Sequence, residues 1–104
     1  MAEKKRYWVK KPEDYLTLET ALDKNKEAME VSGEDDIHGH YKIRYHFNDS
    51  TVELIGRVWN AFIGPPKPVN SVFYSCSVDI YARDLTQIED TKSKLEEITR
   101  VKLK

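Results

Sequence analysis

From His40 to Phe47 the chain alternates. Tyr41, Ile43, Tyr45 and Phe47 are apolar or aromatic, and His40, Lys42, Arg44 and His46 between them are basic or titratable. Successive side chains of an extended chain point to opposite faces, so the run predicts a strand with one apolar and one basic face. Period two returns in VELIGRVWNAFIG, where Val52, Leu54, Val58 and Phe62 oppose Glu53, Ile55, Arg57 and Trp59. It returns again in SVFYSCSVDIYAR, where Val72, Tyr74, Cys76, Val78 and Ile80 oppose Phe73, Ser75, Ser77, Asp79, Tyr81 and Arg83. NDST is a polar turn cluster between the first two runs. GPPKPVNS separates the second from the third and stops pairing, because proline has no N–H to donate.

Helical spacing flanks the strands. Pro12, Glu13 and Asp14 open a stripe of Tyr15, Leu18, Leu22 and Met29, with Ala21 and Ala28 beside it and Gly33 as the expected stop. Leu85, Ile88, Leu95 and Ile98 form a second stripe, capped by Asp84 or Thr86. Arg6 to Lys10 has the length of a short strand, and VKLK extends the last helix or adds an edge strand. The fold class predicted is α+β: an antiparallel meander of three to four strands with two amphipathic helices on one face, in the order (β)αβββα(β). The length fits one domain, residues 1–104. The predicted core is Val52, Leu54, Val58, Tyr74, Cys76, Val78 and Ile80. Matching apolar faces sets Leu54 opposite Tyr45, Glu53 opposite His46, Val58 opposite Cys76 and Trp59 opposite Ser75.

Charge narrows the function classes. Seventeen basic and 18 acidic residues give a net charge of −1, so no global basic field draws nucleic acid or membrane. Binding of that kind requires charge segregated onto one face. Cys76 is the only cysteine, which excludes an internal disulfide and fits a reducing, cytoplasmic compartment. MAEKKRYWVKK lacks the apolar run of a signal peptide, and no stretch approaches a membrane span.

Four constellations carry candidate chemistry. Asp36, His38 and His40 share a face at spacing two, and the His-x-His pair resembles the start of a cupin metal site. The acid that should follow is missing, and Lys42 and Arg44 repel a cation, so neither a structural metal nor another cofactor is expected. Cys76 lies on an apolar face, where a thiol is inert. Glu53 and Asp79 are carboxylates on adjacent strands, expected one same-face position apart and salt-linked, with Arg57 close to Asp79. Pro65-Pro66-Lys67-Pro68 matches Pro-x-x-Pro, but without a basic residue upstream it reads as a stiff loop. The central αβββα order is shared with double-stranded RNA-binding domains. Their basic cluster at the start of the second helix is replaced here by RDLTQIEDTKSK, acidic first, so the order assigns no function.

The outer strand face is the remaining candidate, with Lys42, Arg44, Arg57, Trp59, Phe73 and Tyr81 as its binding residues. The expected function is a small, non-enzymatic binding or regulatory domain that contacts a protein partner, or a second copy, through this face. Nucleotide or RNA binding on the same face ranks second. A metal-dependent enzyme using Asp36, His38 and His40 ranks third.

Overall fold

The structure is a computed structural model and describes residues 3–36, 40–58 and 73–104. Among these residues it is an α+β fold with a five-stranded antiparallel sheet and two helices. The elements are β1 (Glu3–Trp8), α1 (Asp14–Lys24), β2 (Met29–Asp36), β3 (His40–Phe47), β4 (Ser50–Val58), β5 (Phe73–Ala82) and α2 (Leu85–Thr99). β2 to β5 form the meander, and β1 closes the sheet beside β5 in the order β1-β5-β4-β3-β2.

Both helices bury their stripes in the core that the sheet's apolar face builds. Tyr15, Leu18 and Leu22 of α1 and Ile88 and Leu95 of α2 join Tyr45, Val52, Leu54, Cys76, Val78 and Ile80 in one buried cluster. The alternation therefore read the faces correctly. Tyr41 and Phe47 are buried, and Ile43 packs against the cluster. Val58 and Tyr74, also placed in the predicted core, have side chains outside the described residues. Leu85 departs from its predicted stripe and is exposed. Thr91 and Thr99 are buried on α2 instead, with their hydroxyls satisfied: Thr91 by Ser50 and Asn48, Thr99 by the Leu95 carbonyl. Asp84 is the N-cap, its carboxylate accepting from the Gln87 N–H at 2.8 Å.

Two expectations are corrected, and one pair of alternatives is decided. First, the sheet has a strand that the hydrophobic pattern did not show. α1 ends at Lys24, where Asn25 turns the chain and its side chain accepts from the Glu27 N–H. Met29 then starts β2 rather than continuing the helix, and Gly33 lies inside that strand rather than stopping a helix. Second, both hairpin registers differ from expectation by two residues. Phe47 pairs with Ser50, leaving only Asn48 and Asp49 in the turn, both at positive φ (54° and 56°). This is the backbone of a type I′ hairpin, whose twist matches that of the flanking strands. Val52 thus lies opposite Tyr45, and Thr51 opposite His46. In the next hairpin Leu54 pairs with Val78 and Gly56 with Cys76, setting fully buried aliphatics side by side, before a bulge between Arg57 and Val58. A shift of two preserves which face each side chain takes. Of the two readings of the C-terminal segment, the edge strand is the one the structure favours: the segment does not extend α2, and Leu103 bridges Val9 in antiparallel fashion. Arg100 terminates the helix in the left-handed region, and Lys104 exchanges backbone hydrogen bonds with Trp8. Val101 and Leu103 enter the core while Lys102 and Lys104 stay exposed.

No helix among the described residues is long and apolar enough to cross a membrane.

Candidate functional site

The sheet face turned away from the helices is laid out by register. One cross-strand row runs Arg6, Asp79, Glu53, Arg44. The next runs Trp8, Ser77, Ile55, Lys42, and a third begins with Lys4, Tyr81, Thr51 and His46. The face is a shallow groove of about 410 Å³ whose walls include Lys4, Arg6, Lys42, Arg44, Arg57 and Tyr81.

Its floor is not the solvated surface that antiparallel sheets commonly present. Glu53, Ile55, Ser77 and Asp79 are all buried. Glu53 and Asp79 stand directly opposite one another, not offset, so two carboxylates sit side by side on the central strands. Each is tied to a guanidinium from a flanking strand. Arg6 Nε and Nη2 donate to the two oxygens of Asp79 at 2.7 and 3.0 Å, and Arg44 Nε donates to Glu53 at 2.7 Å. Lys4 Nζ adds a contact to Asp79 at 3.4 Å. Burial pushes the Asp79 carboxyl up, but the hydrogen bonds and charge of Arg6, with Lys4, hold it below the usual carboxylate range. The salt linkage was expected; its cation for Asp79 is Arg6, not Arg57.

Arg57 points instead to the β5 serines and to Trp8. Its Nη1 reaches the Ser75 and Ser77 hydroxyls at 3.4 and 3.3 Å, and its guanidinium lies 5.5 Å from the centre of the Trp8 ring. Arg6 lies 5.8 Å from the same ring. Trp8 is 48% exposed between these two cations, and Lys4 stands over Tyr81 at 5.5 Å.

Of the six binding residues read from the sequence, Lys42, Arg44, Arg57 and Tyr81 therefore line one groove. Phe73 is the first residue of β5, placed by its pairing with Val58 past the bulge. Trp59 lies outside the described residues. Sequence reasoning missed Lys4, Arg6 and Trp8. Their signal was present, since Lys4, Arg6 and Trp8 alternate with Lys5, Tyr7 and Val9, but only the pairing of β1 with β5 brings them to this face. On the opposite edge, the register pairs Glu34 with Lys42 and Asp36 with His40.

The other candidates offer less. The thiol of Cys76 is buried, and burial, with the charge of Asp14, pushes it up to about 12 against a weaker opposing effect from Arg57. His38 of the possible metal set lies outside the described residues, and among those described no cluster of three or more metal-ligating side chains occurs. A wider depression of about 870 Å³ opens beside the β3–β4 turn, next to Met29, His46 and Arg83. Asn48 in its lining is already occupied, because its side chain bonds Asp90, Thr91 and Lys94 of α2.

Comparison with known protein families, curated proteins and solved structures finds no match for this chain.

Proposed function

We propose that the chain is a non-enzymatic binding domain that holds a negatively charged macromolecular partner on the outer face of its sheet. The observation that carries this reading is the segregation of charge. Among the described side chains, the groove gathers Lys4, Arg6, Lys42, Arg44 and Arg57 against two acids, Glu53 and Asp79, in a chain of net charge −1. Both acids are buried and paired, so they offer no free negative group. The acids that balance the chain lie elsewhere, including Glu19 and Asp23 on α1 and Glu89, Asp90 and Glu97 on α2. Such a bipolar molecule orients itself in the field of an anionic partner.

Two features weigh against the alternatives. Self-association through this face sets one basic patch against its own copy, since a two-fold interface joins identical surfaces. Catalysis by Glu53 and Asp79 requires a carboxylate free to take or give a proton, and each is held as an ion pair. The test is retention on immobilised heparin. Reversing Lys42 and Arg57 to Glu is expected to lower the eluting salt concentration sharply. Reversing Lys24 and Lys26, the same change in net charge away from the groove, is expected to leave it almost unchanged. Equal loss from both pairs would show that only net charge matters and would overturn the reading.

A further inference from the structure

Resting on the reading above, we infer that the partner is a single strand of nucleic acid, which crosses the sheet face and continues over the β1 edge. The basic field does not stop at β1. Lys104 is bonded to the Trp8 backbone in both directions, so the C-terminal segment runs beside β1 and widens that edge. Beyond it lies a cleft of about 440 Å³ between the start of α1 and the end of α2. Lys10, Lys11, Arg100 and Lys102 line this cleft with a single acid, Asp14. Trp8 thus stands between two basic depressions, not at the border of one.

The chemistry of the band separates a phosphate backbone from an acidic protein. Guanidinium groups in the groove are largely committed: Arg6 to Asp79, Arg44 to Glu53 and Arg57 to the serines beside Trp8. The remaining cations are mostly lysines, in the groove, on the C-terminal segment and in the cleft. Lysine is depleted in protein–protein interfaces, where its flexible, strongly hydrated ammonium is costly to bury. As a point charge beside a phosphate it keeps much of that hydration. The exposed indole of Trp8 and the half-exposed ring of Tyr81 supply what a phosphate-only surface does not need, a platform on which unpaired bases stack. A duplex keeps its base faces within its own stack and leaves these rings unused. An elongated ligand also explains why the basic residues form a band across strands and around an edge, not one closed pocket.

The experiment is fluorescence anisotropy with the full chain at low salt, using three labelled probes: a 20-nucleotide deoxythymidine strand, a 20-base-pair duplex and polyglutamate of matched charge. The thymidine strand is expected to bind tightest, with affinity falling linearly on a log–log plot against salt. Trp8→Ala is expected to weaken it roughly 5- to 160-fold, the range that loss of one stacking contact gives, while Trp8→Phe stays near the parent. Lys42→Glu in the groove and Lys10→Glu with Lys102→Glu in the cleft are each expected to weaken it, because the strand spans both. Equal binding of polyglutamate, or tighter binding of the duplex, overturns the single-strand inference and leaves the sheet-face reading standing. Binding of any probe that ignores every groove substitution overturns both. Should Trp8→Ala fail to fold, Trp8→Phe and the ranking of the three probes on the parent chain decide the question.

Discussion

Arg6 is predicted to stabilise the fold through its charge, and Arg6→Met isolates that contribution by keeping most of the apolar stem and removing the guanidinium. The structure sets the magnitude. Asp79 is 1% exposed and Arg6 38%, with two charge-assisted hydrogen bonds between them. A fully exposed ion pair contributes about 0–1 kcal/mol, and breaking a buried one costs about 3–5 kcal/mol. This pair is buried on one side only, and Lys4 remains 3.4 Å from the orphaned carboxylate. A loss of about 2 kcal/mol follows, or roughly 8–16 °C in Tm for a chain of this size. Urea and thermal melts at a series of pH values test the cause as well as the size. The Asp79 carboxyl is held below its ordinary value in the folded state, so its contribution is complete above the unfolded value, about 3.9, and is lost as pH falls through the lower folded value. Without Arg6, burial dominates and the folded value rises, so the variant binds its proton earlier on acidification. The stability gap between parent and variant should therefore be full at pH 7 and narrow as pH falls below about 5. A gap unchanged down to pH 3 would show that Arg6 acts through packing and would refute the electrostatic account.

Two further expectations follow from the core and the turn. Cys76 should resist thiol reagents in the native state and react only through unfolding, and Cys76→Asp should cost several kcal/mol by placing an unpaired charge beneath both helices; labelling as fast as in a free peptide would refute the strand phase. Asp49→Gly should stabilise the hairpin by about 0.5–1 kcal/mol in chemical melts, because glycine takes the positive φ at the second turn position more readily than aspartate; destabilisation would show that the side chain of Asp49 contributes more than its backbone costs.

Strand faces were legible in the sequence because burial imposes period two, and a register error of two residues leaves every face unchanged. Two-sided residues marked themselves clearly, as in Tyr45 against Arg44. β2 was not legible for the opposite reason. It is a polar edge strand, MEVSGEDD, whose Met29 and Val31 are exposed and whose alternation is broken by a bulge between Glu30 and Ser32. Charges and bulges are common on edge strands, where they discourage pairing with other chains, and they also erase the hydrophobic pattern. The groove was half legible for a related reason. Lys42, Arg44, Arg57 and Tyr81 lie on strands of the meander, where neighbours in sequence are neighbours in space. Lys4, Arg6 and Trp8 reach the same face through a pairing between opposite ends of the chain, Arg6 with Asp79, that no local pattern encodes. The burial of Glu53 and Asp79 was hidden in the same way, because the arginine that covers Asp79 comes from that distant strand.

Binding on one face of the sheet is tested most directly by amide chemical-shift mapping with the deoxythymidine strand as probe. Titrated at low salt, the shifts should concentrate on Lys4–Trp8 of β1, the Arg44 region of β3, Glu53–Arg57 of β4 and Ser77–Tyr81 of β5, and should extend to Lys102 and Lys104. They should leave the outward surfaces of α1 and α2 unchanged. Shifts confined to those helical surfaces, or to the depression beside Asn48, would contradict the account.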